Sequence, residues 1–175
     1  MAQSPDNIRA IAFDIDGVMT DGGLISLPDG DLLRVFNAKD TFAVRTALAK
    51  GFEVAVFTGG ISESIARRCD TLGIPRENVY MGCRGKITAL RSFCESCDLQ
   101  PSEVLYFGDD IPDIPVLRAC GLSIAPADAA EEAKAAAVMV SPYPGGNRCV
   151  RHGIEMVLKA QGKWMFDEDK YDQIF

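Results

Sequence analysis

Short apolar runs alternate with amphipathic segments along the whole 175-residue chain. The first run, residues 8–13, is nearly free of charge and ends at two aspartates, as expected for a strand buried on both faces of a parallel sheet. Similar runs predict strands at residues 53–57, 79–81, 104–107, 122–125 and 138–140. The spacing of apolar positions predicts helices at residues 40–50, 62–73, 86–97, 112–120, 127–137 and 147–161. This alternation predicts an α/β fold: a doubly wound, Rossmann-like parallel sheet with helices on both faces.

Two details refine this picture. Asp40 and Ser62 are expected to cap the helices that begin at those positions. Between the first strand and the first helix, residues 24–27 and 31–36 read as two strands around the turn Pro28-Asp29-Gly30. The sequence therefore predicts a single domain over residues 1–175, with a β-hairpin insert at about 22–37 and a tail at about 162–175. The hairpin follows the aspartates directly, so it can cover the crevice there or pair with another subunit.

Charge and composition narrow the classes of partner. The chain carries 25 acidic and 18 basic residues, a net charge of -7, and has no basic block, which argues against nucleic acid or an anionic membrane surface. The start, MAQSPDNIRA, lacks the features of a signal peptide, and no apolar run reaches transmembrane length, so a cytoplasmic location is expected. Of the six cysteines, Cys94 and Cys97 form the one CxxC pair; with no second pair, free thiols in a reducing compartment are expected.

Polar groups follow three of the predicted buried strands. Asp14 and Asp16 follow the first, Thr58 follows the second, and Asp109 with its neighbour Asp110 follows a later one. In open α/β sheets ligands bind beyond the carboxyl ends of the strands, so these groups are expected to share one crevice. Alone, each motif is as well explained by a turn or a helix cap. Their joint placement favours a functional site.

Together with Lys86, which begins a predicted helix, these groups suit phosphoryl transfer. A carboxylate such as Asp14 can attack phosphorus to form an acyl phosphate, and Asp16 can protonate the leaving oxygen. Thr58 and Lys86 can stabilise the charge on the transferring oxygens. Asp14 and Asp16, so close together, can both stay ionised only if a cation shares the space or one takes a proton. Asp109 would share a Mg²⁺ with Asp14, since Mg²⁺ prefers hard oxygen ligands.

The segments DIDGVMTDGG, FTGGIS and GDDIPD, with Lys86 between the last two, resemble the four ordered motifs of the haloacid dehalogenase superfamily of phosphotransferases. The resemblance covers nearly the whole chain, and the small size and single hairpin are similar to its capless members. It implies that Asp14 is the nucleophile and Asp16 the acid/base. It also implies that Mg²⁺ is held by Asp14, the backbone carbonyl of Asp16 and Asp109. Thr58 and Lys86 would bind the phosphoryl group.

The same resemblance implies further roles. Asp113 would orient Lys86 or, with Asp110, support the metal ligands from behind, while Gly59 and Gly60 would face the substrate. Capless members of this kind are tetramers that hydrolyse phosphorylated sugar acids, and Arg68 matches a position from which a neighbouring subunit contacts the sugar carboxylate. Lys39 stands where relatives often have an arginine, and the segment after Gly145-Gly146 also departs from the family pattern.

Alternatives remain open from the sequence. Relatives that act on nine-carbon nonulosonate 9-phosphates carry an acidic residue at the position of Gly60. The resemblance therefore implies the eight-carbon 3-deoxy-octulosonate 8-phosphate of lipopolysaccharide synthesis as the favoured substrate, with the nine-carbon compound as the alternative. A receiver-like signalling module also uses aspartates, a threonine and a lysine around Mg²⁺, but its phospho-acceptor lies on a later strand than its acidic pair. A non-catalytic relative is disfavoured because no motif residue is missing.

Overall fold

The computed structural model describes residues 4–165 of the chain. The strands, in chain order, are β1 (Ala10–Phe13), β2 (Ile25–Ser26), β3 (Leu32–Leu33), β4 (Glu53–Phe57), β5 (Val79–Tyr80), β6 (Val104–Phe107), β7 (Leu122–Ala125) and β8 (Met139–Val140). Six of them form one parallel sheet in the order β5-β4-β1-β6-β7-β8, while β2 and β3 form a separate antiparallel hairpin. In the sheet β1 lies between β4 and β6, and all four of its residues are buried.

Six helices pack on the two faces of the sheet: α1 (Ala38–Ala49), α2 (Glu63–Leu72), α3 (Lys86–Ser96), α4 (Ile114–Ala119), α5 (Glu131–Ala136) and α6 (Cys149–Ala160). Apolar side chains of α1, α2 and α6 form one core with one face of the sheet, and those of α3, α4 and α5 form a second core with the other face. The doubly wound α/β fold predicted from the sequence is confirmed. Within residues 4–165, no helix is both long enough and apolar enough to cross a membrane.

The hairpin insert is present, but its strands are shorter than the sequence predicts, at two residues each. Helix α5 is also shorter than predicted, and a short 3-10 turn, Ile111–Asp113, precedes α4. The described part of the predicted tail ends at Met165, and the remainder lies outside the described residues.

The prediction that Asp40 caps α1 is wrong. Asn37 is the capping residue, since its side chain accepts a hydrogen bond from the backbone N–H of Lys39 at 2.8 Å. Asp40 lies one turn later, fully buried, and its carboxylate accepts hydrogen bonds from the backbone N–H groups of Arg148 (3.0 Å) and Arg151 (2.7 Å). It therefore satisfies the free donors at the start of α6, more than a hundred residues away in sequence.

Ser62 precedes α2 as predicted, but its hydroxyl does not cap the helix. It donates instead to the carboxylate of Asp31, on the hairpin. This bond ties the hairpin to the loop that follows β4. It lowers the pKa of the Asp31 carboxyl below its ordinary value, with help from the backbone N–H of Leu32.

Candidate active site

The turn that follows β1 carries the two motif aspartates. Asp14 is almost fully buried, and its Oδ1 accepts a hydrogen bond from the N–H of Ile15 at 2.6 Å. Gly17 has φ +86°, and a Cβ there would lie 2.1 Å from Oδ2 of Asp109. Only glycine allows this turn to approach the loop after β6 so closely. The turn therefore brings the ends of β1 and β6 together.

Lys86, the first residue of α3, points its ammonium group at two carboxylates. Its Nζ donates to Oδ2 of Asp14 at 2.5 Å and to Oδ1 of Asp113 at 2.6 Å, and the side chain is only 4% exposed. Burial alone would lower the pKa of Lys86, but the charges of Asp14 and Asp113 outweigh it and raise the pKa above its ordinary value. Lys86 is thus held as a cation beside the candidate nucleophile, at a helix start where a positive charge is otherwise unfavourable.

Asp113 is fully buried and accepts four hydrogen bonds. Besides Lys86, the hydroxyl of Tyr106 donates to its Oδ1 at 2.6 Å. The backbone N–H groups of Asp109 and Asp110 donate to its Oδ2 at 3.1 and 3.2 Å. With both oxygens occupied in this way, Asp113 orients Lys86 and the loop after β6. The carboxylate of Asp110 also borders the crevice.

Asp109 is the carboxylate whose surroundings call for a cation. Its Oδ1 is buried without a hydrogen-bond partner, and one ligand atom each from Asp14, Asp109 and Asp113 lie within 4.8 Å of one another. Burial, followed by the negative charges of Asp14 and Asp113, raises the pKa of Asp109 to about 7. Burial likewise raises the pKa of Asp14 to about 6, although Lys86 opposes the shift.

This geometry fits Mg²⁺. An unpartnered buried oxygen and two carboxyl groups that resist ionisation are what a hard divalent cation relieves, since it supplies the missing positive charge and accepts oxygen ligands. Asp14 and Asp109 have oxygens available to such a cation, whereas the oxygens of Asp113 are already taken by four donors.

Thr58 and the glycines after it complete the crevice on the other side of β1. Thr58 is 1% exposed, and its Oγ1 accepts a hydrogen bond from the N–H of Gly60 at 3.2 Å. The crevice has a volume of about 400 Å³. Its lining includes nine of the residues that the sequence singled out: Asp14, Asp16, Thr58, Gly59, Gly60, Lys86, Asp109, Asp110 and Asp113. The predicted convergence of these residues is therefore present in the fold.

Asp16 is bound by an arginine that sequence reasoning did not single out. The guanidinium of Arg34 donates from Nε to Oδ1 of Asp16 at 2.7 Å and from Nη2 to Oδ2 at 3.0 Å. Arg34 follows β3 of the hairpin, so the insert reaches into the crevice. The available signal was a single charged residue within the apolar stretch LLRVF.

The Gly145-Gly146 loop closes one side of the aspartate turn. A Cβ on Gly145 would lie 1.9 Å from the carbonyl oxygen of Gly17, and one on Gly146 would lie 2.6 Å from the backbone N of Asp21. Asp128, which sequence reasoning also missed, accepts a hydrogen bond from the N–H of Gly145 at 2.8 Å. The loop keeps this tight backbone packing although the residues that follow it depart from the family pattern.

Two predicted substrate-binding residues lie outside this crevice in the single chain. The guanidinium of Arg68 lies 5.0 Å from the ring centre of Phe36 and donates to the hydroxyl of Thr41, on α1. Lys39 borders a separate cavity of about 580 Å³, which is also lined by Arg148 and by residues of α6. Any contact of Arg68 or Lys39 with substrate therefore stays a prediction.

Comparison with known proteins agrees with the fold and identifies the family. A family model described as haloacid dehalogenase-like hydrolase matches residues 79–145, which include Lys86 and the loop after β6. The 3-deoxy-D-manno-octulosonate 8-phosphate phosphatase of Escherichia coli K12 is 38% identical over 169 residues, which cover 97% of this chain and 88% of that protein. The chain belongs to the 3-deoxy-D-manno-octulosonate 8-phosphate phosphatase family of haloacid dehalogenase-like hydrolases.

The fold of this chain is also similar to solved structures of such phosphatases. The cobalt-bound deoxy-D-mannose-octulosonate 8-phosphate phosphatase of Haemophilus influenzae superposes with a TM-score of 0.90 at 33% identity, covering 96% of this chain and 98% of that one. The phosphatase of Moraxella catarrhalis, solved with a magnesium ion, a phosphate ion and the sugar acid, superposes with a TM-score of 0.87 at 30% identity, covering 91% of each chain.

Proposed function

We propose that this protein is a Mg²⁺-dependent phosphatase that hydrolyses 3-deoxy-D-manno-octulosonate 8-phosphate to the free sugar acid and inorganic phosphate. Similarity over nearly the whole length to enzymes of that name, at 38% identity, carries the choice of substrate. The reaction class is supported by the crevice itself, where a buried carboxylate, a buried lysine and a metal-accepting aspartate meet at the ends of β1 and β6.

In the mechanism we infer, an oxygen of Asp14 attacks phosphorus and an aspartyl phosphate forms as the bond to the sugar oxygen breaks. Asp16 gives its proton to that leaving oxygen and later takes a proton from the water that hydrolyses the intermediate. Lys86 and the hydroxyl of Thr58 bind the transferring phosphoryl oxygens, while Asp113 holds Lys86 in place.

Mg²⁺ would be held by Asp14, Asp109 and the backbone carbonyl of Asp16, and would supply positive charge to the phosphoryl oxygens. Burial of Asp14 and Asp109, with the negative charge of neighbouring carboxylates as a smaller contribution, prepares that site. The raised pKa values of Asp14 and Asp109 show that the protein places two carboxyl groups where they cannot both ionise easily without a cation.

The first test is phosphate release in the presence of Mg²⁺ from a panel of substrates. It contains 3-deoxy-octulosonate 8-phosphate, a nonulosonate 9-phosphate, a hexose phosphate and acetyl phosphate, with Asp14→Asn as the control. Strong preference for the eight-carbon acid, abolished in the variant, is expected. Preference for the nine-carbon acid would keep the mechanism and overturn the choice of substrate. A stable phosphoprotein after acetyl phosphate treatment, without turnover, would instead favour a signalling module.

We also propose that the protein works as a single catalytic domain in a homotetramer associated through the hairpins. The support is a row of exposed apolar side chains on the hairpin: Ile25 is 62% exposed, Leu33 48% and Val35 78%. An unpaired hairpin with such a surface is prone to aggregation unless another chain covers it. Sedimentation that gives a clean monomer would contradict this.

A cytoplasmic location is the last part of the proposal. All six cysteines, which lie within the described residues, are free thiols, as expected in a reducing compartment. Cell fractionation that placed the protein in an oxidising compartment would contradict it.

A further inference from the structure

Arg34, directly after β3, turns its side chain away from solvent. Its neighbours Leu33 and Val35 are 48% and 78% exposed, whereas the Arg34 side chain is 2% exposed. Successive residues of an extended chain point to opposite sides, so the two apolar neighbours face outward because Arg34 faces the crevice. A guanidinium is seldom buried this completely unless it has a defined partner.

All three nitrogens of the Arg34 guanidinium are engaged. Nε and Nη2 form the paired contacts to the two carboxylate oxygens of Asp16, at 2.7 and 3.0 Å, and Nη1 donates to the backbone carbonyl of Leu32 at 3.1 Å. The last contact fixes the plane of the guanidinium relative to its own strand. A two-pronged pair of this kind sets the direction of the carboxylate as well as its distance.

The residues around Arg34 restrict the position of its guanidinium group. A Cβ at Gly60 would lie 3.3 Å from Nη2 of Arg34, so the absence of a side chain at Gly60 makes room for the guanidinium. The hairpin is in turn held against the start of α2 by the Ser62 contact to Asp31 and by a bond of 3.3 Å from Ser64 Oγ to the carbonyl of Leu32. The hairpin and the β4 loop thus hold Arg34 from two sides.

We propose that Arg34 is a positioning residue that orients Asp16 for proton transfer, an inference that rests on the proposed function of Asp16 as acid/base. Each carboxylate oxygen has two acceptor sites, and the arginine contact uses one on each oxygen. One of the two remaining sites on Asp16 carries the proton that passes to the sugar oxygen as the phosphorus–oxygen bond breaks and the bond to Asp14 forms. Asp16 then recovers a proton from the attacking water.

Without Arg34, the Asp16 carboxylate would lose the two hydrogen bonds that orient it and could rotate about its side-chain torsions. Misplacement of a catalytic group by about 1 Å costs about a hundredfold in rate. We therefore expect kcat/KM for 3-deoxy-octulosonate 8-phosphate to fall about 10- to 100-fold in Arg34→Gln. In Arg34→Lys, which can hold one oxygen of Asp16 but not both, a smaller loss is expected.

The way in which the loss of kcat/KM depends on the leaving group distinguishes a positioning role of Arg34 from a general structural role. A nitrophenyl phosphate releases a phenolate that needs little protonation, so its first step does not depend on an acid. For this substrate kcat/KM, which reports the steps up to departure of the phenolate, is expected to change less than about threefold in Arg34→Gln. Dephosphorylation still needs Asp16 as base, so a burst of nitrophenol followed by slower turnover is expected.

A double-mutant cycle completes the test. If Arg34 acts through Asp16, Arg34→Gln adds no further loss to an Asp16→Asn background. Arg9→Gln is the matched control, because Arg9 pairs with Glu103 at 3.1 Å at the opposite end of the sheet and is largely exposed. It should leave both substrates unaffected. Thermal unfolding of each variant checks the fold, and Arg34→Lys keeps the test available if Arg34→Gln does not fold.

Equal losses on the sugar phosphate and the aryl phosphate, or losses that add to those of Asp16→Asn, would overturn the inference, because Arg34 would then act on the substrate or on the fold. These outcomes differ from a failure of the proposed function, in which the unmodified protein itself releases no phosphate from the sugar acid.

Discussion

Tyr106→Phe removes a single oxygen from the support of the active site. Tyr106 lies in the buried strand β6, and its hydroxyl donates to Oδ1 of Asp113 at 2.6 Å. The ring is fully buried, and it stacks on Phe57 with a centroid distance of 5.9 Å. Burial raises the pKa of Tyr106 well above its ordinary value of 10, and the charge of Asp113 adds to the effect, so the phenol keeps its proton and stays a donor.

The size of the effect follows from the charge and burial of the acceptor. A hydrogen bond to a charged group contributes about 1.5–3 kcal/mol, and an unmet buried acceptor costs a similar amount. Asp113 retains its contacts to Lys86 and to the two backbone N–H groups, so the network does not collapse. We therefore expect Tyr106→Phe to lower the free energy of unfolding by about 1.5–3 kcal/mol, or the Tm by about 3–12 °C for a chain of this size.

Urea unfolding followed by circular dichroism measures the change in the free energy of unfolding. Phosphate release measures whether the loss of the Tyr106 hydroxyl impairs the catalytic role proposed for Lys86. A fall in kcat smaller than the fall caused by Lys86→Ala is expected, since Lys86 keeps both carboxylate partners. Tyr80→Phe is the control, because the Tyr80 ring also lies beside Phe57 but is only partly buried. If Tyr106→Phe leaves the unfolding free energy unchanged, or no more affected than Tyr80→Phe, the reasoning about the buried acceptor is refuted.

Three further predictions concern the metal site, the glycine loop and the hairpin. Because the pKa of Asp109 is raised to about 7 without metal, the folded state favours its protonated form. The metal-free protein should therefore lose stability as pH rises from about 4 to 7, and Mg²⁺ should raise the Tm more at pH 8 than at pH 5; a metal effect independent of pH would contradict this. Gly145→Ala, whose Cβ would lie 1.9 Å from the carbonyl oxygen of Gly17, should lower the unfolding free energy by about 2 kcal/mol or more in urea titrations. Gly85→Ala, whose Cβ would have its nearest contact at 3.9 Å, should change it little, and equal effects would argue against the clash. Val35→Lys should shift sedimentation towards smaller species, and an unchanged tetramer would place the interface elsewhere.

The short apolar runs of the sequence explain why the strands of the parallel sheet could be predicted. A run such as β1 reads as a strand whatever surrounds it, because four consecutive apolar residues followed by Asp14 fit a central parallel strand. Ligands bind at the carboxyl ends of such strands, so the predicted strand positions were enough to predict that Asp14, Thr58 and Asp109 share one crevice. The structure has them there.

The parts that could not be predicted depend on contacts between distant segments. Asp40 looked like a local helix cap, and nothing in its neighbourhood shows that α6 would bring two backbone N–H groups to it. Tyr106 lies in an apolar strand, and the sequence does not show that its buried hydroxyl meets Asp113, in the turn before α4. The contact of Arg34 with Asp16 is a third feature that could not be predicted, because the direction of the hairpin depends on its contacts with Ser62 and Ser64.

The hairpin links two properties that would otherwise be independent. In the stretch from Leu32 to Val35, alternate side chains face outward to the proposed partner and inward to Asp16, so the same pleat that exposes Leu33 and Val35 buries Arg34. Moving the strand by one residue would reverse every side chain, with the arginine in solvent and apolar residues against a carboxylate. A partner chain that covers the outer face would therefore also hold the inner face in register. Assembly and the orientation of the acid/base then depend on one short piece of backbone, which is why a change at the exposed Val35 is expected to affect proton transfer to the sugar oxygen as well as subunit association.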